Sequence, residues 1–161
     1  MKPRYLLLLS FSGFIVSLDQ AINHYVYTHL RVGEARELLG SGLKVVHLSS
    51  NGLFFGLLHR IPQELQEIFL VGVPVFALVL LILIFVKLND GRMLSSLSLT
   101  LILAGALGNI LDRVQYGSVV DPFVVPGLPS FNLADLAILC GASLMMINTL
   151  LQQKKKIRIG I

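Results

Sequence analysis

The stretch Ala104–Leu136, AGALGNILDRVQYGSVVDPFVVPGLPSFNLADL, decides the fold because it places charged side chains between two long apolar runs. It holds three of the chain's five aspartates, together with one arginine and two asparagines. Ionisable side chains at the edge of a membrane span are costly to keep there and by default indicate a functional site. The stretch therefore predicts two membrane helices that meet at a polar site. Its polar candidates are Asn109, Asp112, Arg113, Asp121, Asn132 and Asp135.

The composition of the whole chain is that of an integral membrane protein. Of its 161 residues, 55% are hydrophobic and only 14% are charged, whereas soluble domains carry about a quarter charged residues. The length allows a single domain, residues 1–161. The net charge is +4, but the basic residues form no stripe with interleaved aromatic side chains, so no nucleic-acid partner is expected. The one cysteine, Cys140, lies in an apolar run, and we expect it to be a small core residue.

Four apolar runs are long enough to cross about 30 Å of hydrocarbon. They predict an all-α membrane protein of four transmembrane helices, with both termini on one side of the membrane. The predicted spans are residues 5–26, 65–86, 93–111 and 131–151.

Two longer polar loops connect these spans on the predicted outer side. The first, residues 27–64, contains the β-branched and aromatic segment Leu43–Leu58 with a Ser-Ser-Asn-Gly turn signal in its middle. Such a pattern predicts a small sheet or hairpin lying on the membrane surface. The second loop, residues 112–130, is rich in glycine and proline.

The distribution of basic residues predicts the orientation of the chain. Eight Lys and Arg residues fall at the termini and in the short loop between the second and third spans, against five on the other side. Because cytoplasmic segments carry the excess of Lys and Arg, both termini are expected in the cytoplasm. Four of the five aspartates then converge at the outer ends of the first, third and fourth spans. They are Asp19, Asp112, Asp121 and Asp135.

Converging carboxylates support acid–base chemistry. Two carboxylates brought close together cannot both ionise cheaply, so one serves as base and the other as acid. Such a pair can activate a water molecule and protonate a leaving amine, which is the arrangement of an aspartic protease. It needs no metal and no other cofactor, and the sequence contains neither His-Glu-x-x-His nor Cys-x-x-Cys. Periodicity alone does not decide which two aspartates form the pair.

Each carboxylate also has a purely structural interpretation. Asp112 can pair with the adjacent Arg113 at the end of the third helix, and Asp19 can pair with the same arginine. Asp121 can be an ordinary turn residue. Asp135 can stabilise the start of the fourth helix, since negative charge is favourable near a helix N-terminus. The histidines in or beside the first outer loop are expected to be ordinary interfacial residues.

Three motifs give the chain a resemblance to a known family. Gly108–Arg113 (GNILDR), Val119–Asp121 (VVD) and Phe131–Asp135 (FNLAD) resemble the signature of lipoprotein signal peptidase, also called signal peptidase II. Asp19 and Gln20, near the end of the first span, fit the same pattern. The order of the motifs, their spacing and the four-span topology match over nearly the whole chain.

The resemblance implies a protease of the bacterial inner membrane that cuts diacylglyceryl-modified prolipoproteins just before the lipid-bearing cysteine. It assigns the catalytic pair to Asp121 and Asp135, facing the outer side. It also implies contact with membrane lipids and inhibition by globomycin-type compounds, and we expect a monomer. The residues that it assigns to substrate binding or support are Asn109, Arg113, Asn132, Asp112, Asp19, Gln20 and Gly52.

Three positions depart from the family pattern. Asn23 stands where a lysine is usual, and Ser50 stands where the asparagine of an Asn-x-Gly-x-Ala-Phe motif is usual, with Asn51 one residue further on. Pro122 follows Asp121 in place of the usual phenylalanine. These changes leave both predicted catalytic aspartates in place, which favours an active enzyme.

Two other functions remain compatible with the residues. One is a catalytically weak or silent homologue that binds lipidated precursors, a hypothesis motivated by Asn23 and Ser50. The other is a small transporter or proton-relay protein that uses its carboxylates for ion binding. The absence of an internal repeat in the sequence speaks against a transporter.

Overall fold

The computed structural model describes residues 3–39, 42–50, 62, 65–66, 68–87 and 93–159. Within these ranges lie four long helices, each apolar enough to cross a membrane, with a π-helical segment, Ile68–Gly72, directly before the second. The predicted four-helix membrane architecture with a small sheet is confirmed. The helices are α1 (Pro3–His29), α2 (Val73–Lys87), α3 (Met93–Tyr116) and α4 (Leu133–Ile159).

Three of the described helices extend beyond the apolar runs that predict them. Helix α3 continues to Tyr116, so Asp112 and Arg113 lie on this helix and not in the following loop, where residues 112–130 were expected. Helix α4 begins at Leu133 and continues to Ile159, past the predicted end at residue 151. Hydropathy reports which residues are apolar, whereas a helix continues as long as its backbone hydrogen bonds are satisfied.

Helix α3 is the central element of the bundle, because α1, α2 and α4 all pack against it. Two glycines allow the backbones of α3 and α4 to touch. A Cβ atom added at Gly105 would overlap the carbonyl oxygen of Ala134, and one added at Gly141 would lie 2.6 Å from the carbonyl oxygen of Ser98. Close backbone approach at small residues is a common way for helices to associate in lipid.

Two small sheets, hereafter together the sheet, combine strands from both long loops. The loop after α1 contributes β1 (Ala35–Leu39), β2 (Leu43–Val46) and β3 (Ser49–Ser50), and the loop after α3 contributes β4 (Val119–Val120) and β5 (Phe123–Val124). All pairings are antiparallel, in the orders β1-β2-β5 and β3-β4. Residues 43–50 thus run alongside residues 119–124. Asp121 lies in the second of these segments, after β4 and before β5.

The hairpin lies earlier in the chain than predicted. Strand β1 pairs with β2 so that Ala35 faces Val46 and Glu37 faces Lys44, and both strands of this hairpin precede the Ser-Ser-Asn-Gly signal. Strand β1 reads Ala-Arg-Glu-Leu-Leu and lacks the β-branched residues that mark strands in a sequence. The part of the predicted segment after Ser50, including Gly52, lies outside the described residues.

Hydrogen bonds connect the sheet to the end of α1. The His47 ring lies with Nδ1 2.7 Å from the carbonyl oxygen of Leu30, and the Gly33 N–H donates to the carbonyl of His47 at 3.0 Å. Gly33 has a φ of 81°, which an L side chain adopts only with strain. The backbone N–H of Arg31 donates to Glu34 and holds the pKa of that carboxyl below its ordinary value of 4.5.

Many apolar side chains on the outside of the bundle are exposed, as expected for surfaces that face lipid. Cys140, on α4, is among the exposed residues, so the expectation that it is a core residue was wrong. Lipid tails and a protein core are equally apolar. The apolar sequence around Cys140 therefore does not show which side of the helix faces its neighbours.

The contact at Gly105 predicts a specific sensitivity of the bundle. In Gly105→Ala the new methyl group meets backbone atoms of α4, which do not move aside without shifting the helix, and such overpacking costs about 1–3 kcal/mol. We expect a lower melting temperature in detergent micelles. Gly13→Ala is the matched control, because no atom lies within 4 Å of its added Cβ. Equal melting temperatures for the two variants would contradict the close α3–α4 contact.

Candidate active site

Four aspartates meet at the end of the bundle that carries the sheet, hereafter the sheet end. Asp19 comes from α1, Asp112 from α3, Asp135 from the first turn of α4, and Asp121 from the link between β4 and β5. Asp19 and Asp112 are fully buried and Asp121 is 4% exposed. Since an isolated buried carboxylate is very costly, the hydrogen bonds that these groups accept decide what the site can do.

Asn132 begins helix α4 and orients Asp135. Its side-chain oxygen Oδ1 accepts a hydrogen bond from the backbone N–H of Asp135 at 2.7 Å, which is the geometry of a helix N-cap. Both partners of the hydrogen bond that begins the helix therefore lie within the short segment Phe131–Asp135. Asp135 stands at the third helical position, where the helix dipole favours a negative charge.

The amide nitrogen of Asn132 points in the other direction, toward Asp121. Its Nδ2 lies 2.9 Å from Asn109 Oδ1, 3.3 Å from the carbonyl oxygen of Val120 and 3.4 Å from Asp121 Oδ1. Asn109 in turn donates from its Nδ2 to Asp135 Oδ1 at 3.0 Å. Asp121 and Asp135 are thus connected through two asparagine side chains, one from α3 and one from the start of α4.

The sheet holds Asp121 from its other side. The Asp121 N–H donates to the carbonyl of Leu48 at 3.0 Å, and the next carbonyl, that of Pro122, accepts from the Val46 N–H at 2.9 Å. Proline lacks a backbone donor, but the ladder uses only its carbonyl here. The departure at Pro122 therefore costs none of the ladder bonds around Asp121.

Asp19 and Asp112 form a second, deeper pair of carboxylates. Asp112 accepts from Gln20 Nε2 at 2.7 Å and from Asn23 Nδ2 at 2.9 Å. Asp19 accepts from Asn23 Nδ2 at 3.2 Å and from the backbone N–H of Ala134 at 2.9 Å. The expectation that Asp19 pairs with Arg113 is not met, because its hydrogen-bond partners in the described chain are neutral amide groups. The hydrogen bonds of Asp112 likewise come from amide groups and not from Arg113.

Arg113 lies within electrostatic reach of Asp135, Asp112 and Asp121. Its Nη1 is 3.5 Å from the carbonyl oxygen of Asn109, and its buried Nε has no hydrogen-bond partner among the described residues. A buried donor without an acceptor costs free energy. The guanidinium group therefore places an unsatisfied, positively charged donor beside the aspartates.

Sequence reasoning missed the contribution of Asn23, which it treated only as a departure from a family pattern. The structure places this side chain, fully buried, between Asp19 and Asp112. The signal was present, since residues four apart on a helix share a face and Asn23 follows Asp19 by four. Gln20, which the family resemblance assigns to the site, lies beside Asp112. Gly52 lies outside the described residues. In the part of the chain that the structure describes, no group of three or more His, Cys, Asp or Glu side chains is placed to hold a metal ion.

The fold and the site together define a multi-pass membrane enzyme with an acid–base site made of carboxylates. The chain belongs to the signal peptidase II family, because the family's model, signal peptidase (SPase) II, matches residues 11–151. It is accordingly a peptidase of the aspartic type.

Similarity to individual proteins supports the same family assignment. The chain is similar to the lipoprotein signal peptidase of Syntrophus aciditrophicus, with 29% identity over 97% of this chain and 99% of that protein. It is 34% identical to the lipoprotein signal peptidase of Moorella thermoacetica over 85% of this chain and 88% of the other. A bacterial membrane enzyme solved by the in meso method at 2.3 Å resolution superposes with a TM-score of 0.82 and 26% identity, covering 92% and 90% of the two chains.

The two roles of Asn132 can be separated by substitution. Serine is also a good N-cap, so Asn132→Ser retains the cap, whereas Asn132→Ala loses about 1 kcal/mol of stability. Both variants lose the Nδ2 donor toward Asn109 and Asp121. We expect Asn132→Ser to keep a near wild-type melting temperature while its peptidase activity falls as far as that of Asn132→Ala. Full activity of the serine variant would show that the amide donor is dispensable.

Proposed function

We propose that Asp121 and Asp135 are the catalytic dyad with which this peptidase removes signal peptides from diacylglyceryl-modified prolipoproteins. The bond cut is the one before the lipid-bearing cysteine. The observation that carries the proposal is the hydrogen-bonded chain from Asp121 through Asn132 and Asn109 to Asp135. The name of the two relatives, lipoprotein signal peptidase, supports the choice of substrate.

The chemistry follows from a proton shared between two neighbouring carboxyl groups. The ionised member takes a proton from water, and the resulting hydroxide attacks the carbonyl carbon of the scissile peptide bond. The protonated member donates its proton to the carbonyl oxygen, which gives a neutral tetrahedral intermediate. Collapse of this intermediate breaks the C–N bond. The proton held by the base passes to the leaving amine, and the other carboxylate takes back a proton from a hydroxyl of the intermediate, which leaves a free carboxylic acid and restores the dyad.

Asn109 and Asn132 orient this dyad without neutralising it. Their amide groups donate to Asp135 and Asp121 but carry no net charge, so they fix the positions of the two carboxyl groups without forming an ion pair with either. Both asparagines are themselves held, one on α3 and the other as the N-cap of α4. Groups held in a reactive geometry before the substrate arrives contribute strongly to the rate.

Arg113 is the proposed anchor for the substrate. Its unpartnered Nε is a charged donor next to the dyad, and charge-assisted hydrogen bonds to oxygen are about twice as strong as neutral ones. The acceptor is a backbone carbonyl of the precursor or an ester oxygen of its diacylglyceryl group. Globomycin-type compounds, which the family resemblance suggests as inhibitors, would occupy the same place.

The membrane arrangement suits a lipid-anchored substrate. With both termini in the cytoplasm, the sheet end faces the outer side, where the lipid-modified cysteine of a precursor is held at the membrane surface. The exposed apolar side chains of the helices then face the acyl chains of membrane lipids and of the substrate. The protein acts as a monomer in this proposal.

The dyad is tested by cleavage of a diacylglyceryl-modified prolipoprotein, followed as a gel shift with purified protein in detergent. We expect wild type to cleave, and Asp121→Asn and Asp135→Asn to lose activity by at least about 10³-fold, since removal of a catalytic group leaves only binding and positioning. Asp90→Asn is the matched control, because this fifth aspartate follows the second apolar run in the sequence and is separated from the other four.

Three results would contradict the proposal in different ways. Cleavage by either dyad variant would exclude that residue from catalysis. Binding of the lipidated precursor by a wild-type protein that does not cut it would favour a silent homologue. Loss of activity in Asp90→Asn as well would show that the assay reports folding rather than catalysis.

The orientation is tested by labelling single cysteines in a Cys140→Ser background with a membrane-impermeant maleimide. Val32 is 82% exposed in the loop after α1, and Lys154 is exposed at the opposite end of α4. We expect Val32→Cys to react in right-side-out membrane vesicles and Lys154→Cys to react only in inside-out vesicles. The reverse pattern would place the sheet end in the cytoplasm.

A further inference from the structure

Each proposed catalytic aspartate directly follows a residue whose backbone is held by a second carboxylate. The N–H of Val120, before Asp121, donates to Asp112 Oδ2 at 3.1 Å. The N–H of Ala134, before Asp135, donates to Asp19 Oδ1 at 2.9 Å. The deeper pair of carboxylates therefore accepts a hydrogen bond from the backbone N–H one residue before each member of the dyad.

These two backbone groups depend on the deeper pair for different structural reasons. Ala134 lies in the first turn of α4, where N–H groups have no partner within the helix. Val120 is the last residue of the two-residue strand β4 and is fully buried. Without a carboxylate acceptor, each N–H would be buried and unpaired, which is unfavourable for the folded arrangement.

Asn23 joins the two carboxylates of the deeper pair. Its single Nδ2 lies 2.9 Å from Asp112 Oδ2 and 3.2 Å from Asp19 Oδ2, and the side chain is completely buried. Asp112 Oδ2 is the same atom that accepts the Val120 N–H. Gln20 makes a parallel connection, from Nε2 to Asp112 Oδ1 at 2.7 Å and to Asp19 Oδ2 at 3.3 Å.

We propose that Asn23 is a positioning residue, whose amide fixes Asp19 and Asp112 relative to each other and thereby sets the placement of Asp121 relative to Asp135. The inference rests on the proposed function, in that it takes these two aspartates as the dyad. Asn23 itself touches neither of them within hydrogen-bond distance in the described chain, and it acts only through the deeper pair.

The physical basis is the repulsion between two buried carboxylates in a medium of low dielectric constant. A donor shared between them offsets this repulsion at one fixed separation. Loss of the Asn23 donor leaves only Gln20 between the two carboxylates, by one short and one long contact, and lets Asp19 and Asp112 move apart. Because one holds α4 and the other holds β4, the two catalytic aspartates move with them. A misplacement of about 1 Å in an active site costs about 10²-fold in rate.

The test compares three substitutions of Asn23 with one control. Asn23→Leu keeps a similar volume but has no donor, and Asn23→Ser keeps one hydroxyl donor that serves one carboxylate. Asn23→Lys supplies an ammonium group with three donors, which serves both. The control, Asn148→Leu, removes another amide bond between helices, from Asn148 Nδ2 to Ser95 Oγ at 2.7 Å, without touching the carboxylate cluster.

Two readouts are measured on each purified variant. One is kcat and KM for cleavage of the lipidated prolipoprotein. The other is hydrogen exchange of the backbone amides of Val120 and Ala134. We expect Asn23→Leu to lower kcat about 10²-fold with KM unchanged and to speed exchange at both amides. Asn23→Ser should be intermediate, Asn23→Lys should recover most of kcat, and Asn148→Leu should match wild type.

Wild-type kcat in Asn23→Leu would overturn the inference, and so would a loss of kcat without faster exchange at Val120 and Ala134. If the leucine variant does not fold, a wild-type kcat in Asn23→Ser would overturn it equally. Failure of the proposed function shows differently, as an inactive wild type or an active Asp121→Asn. The exchange measurement then still decides whether Asn23 fixes the two segments.

Discussion

Carboxylates that are withdrawn from water must accept hydrogen bonds, and at the sheet end this requirement determines how α1, α3, α4 and the sheet are arranged. Asp19 and Asp112 are fully buried, and transfer of an ionised carboxylate into a protein interior without partners is prohibitively costly. Their oxygens accept from the side chains of Gln20 and Asn23 and from two backbone N–H groups. Because those donors come from α1, β4 and α4, satisfying two carboxylates on α1 and α3 also brings the other elements into place.

The donors are mostly neutral, and this has a chemical consequence. Salt bridges to each aspartate would satisfy the same oxygens but would also hold every carboxyl group in its ionised form. Amide donors fix the geometry without adding positive charge. Arg113 supplies positive charge at the edge of the cluster, and its buried Nε has no hydrogen-bond partner among the described residues. The proposed dyad is compatible with this arrangement.

Close packing of glycines makes the hydrogen bonds geometrically possible. A Cβ at Gly108 would lie 2.9 Å from Asp19 Oδ2 and 3.1 Å from the Cβ of Ala134, so α1 and α4 both approach α3 at a point where it has no side chain. The bond from Ala134 to Asp19 passes this same point. A bulkier residue at Gly108 would separate α1 from α4. The small residues of α3 therefore support the site as well as the bundle.

The sequence by itself determined the four spans, the family and the identity of the polar residues that meet. Long apolar runs report burial in lipid, and the motifs around Asn109, Asp121 and Asp135 keep their order and spacing. Those signals are local in the chain, which is why reasoning from residue patterns recovered them. The N-cap bond of Asn132 is equally local, since both partners lie within Phe131–Asp135, but the residue patterns did not identify it.

Only the tertiary structure decided how those residues are connected. Asn23 and Asp112 are 89 positions apart, and no periodicity links a side chain on one helix to an acceptor on another. The exposure of Cys140 was hidden because lipid and protein core are equally apolar. The pairing of residues 43–50 with residues 119–124 depends on the folding together of two loops that hydropathy treats separately. Hydrogen bonds between distant segments are selected by the packed bundle as a whole, since a donor satisfies a buried carboxylate only where the backbones already bring the two together.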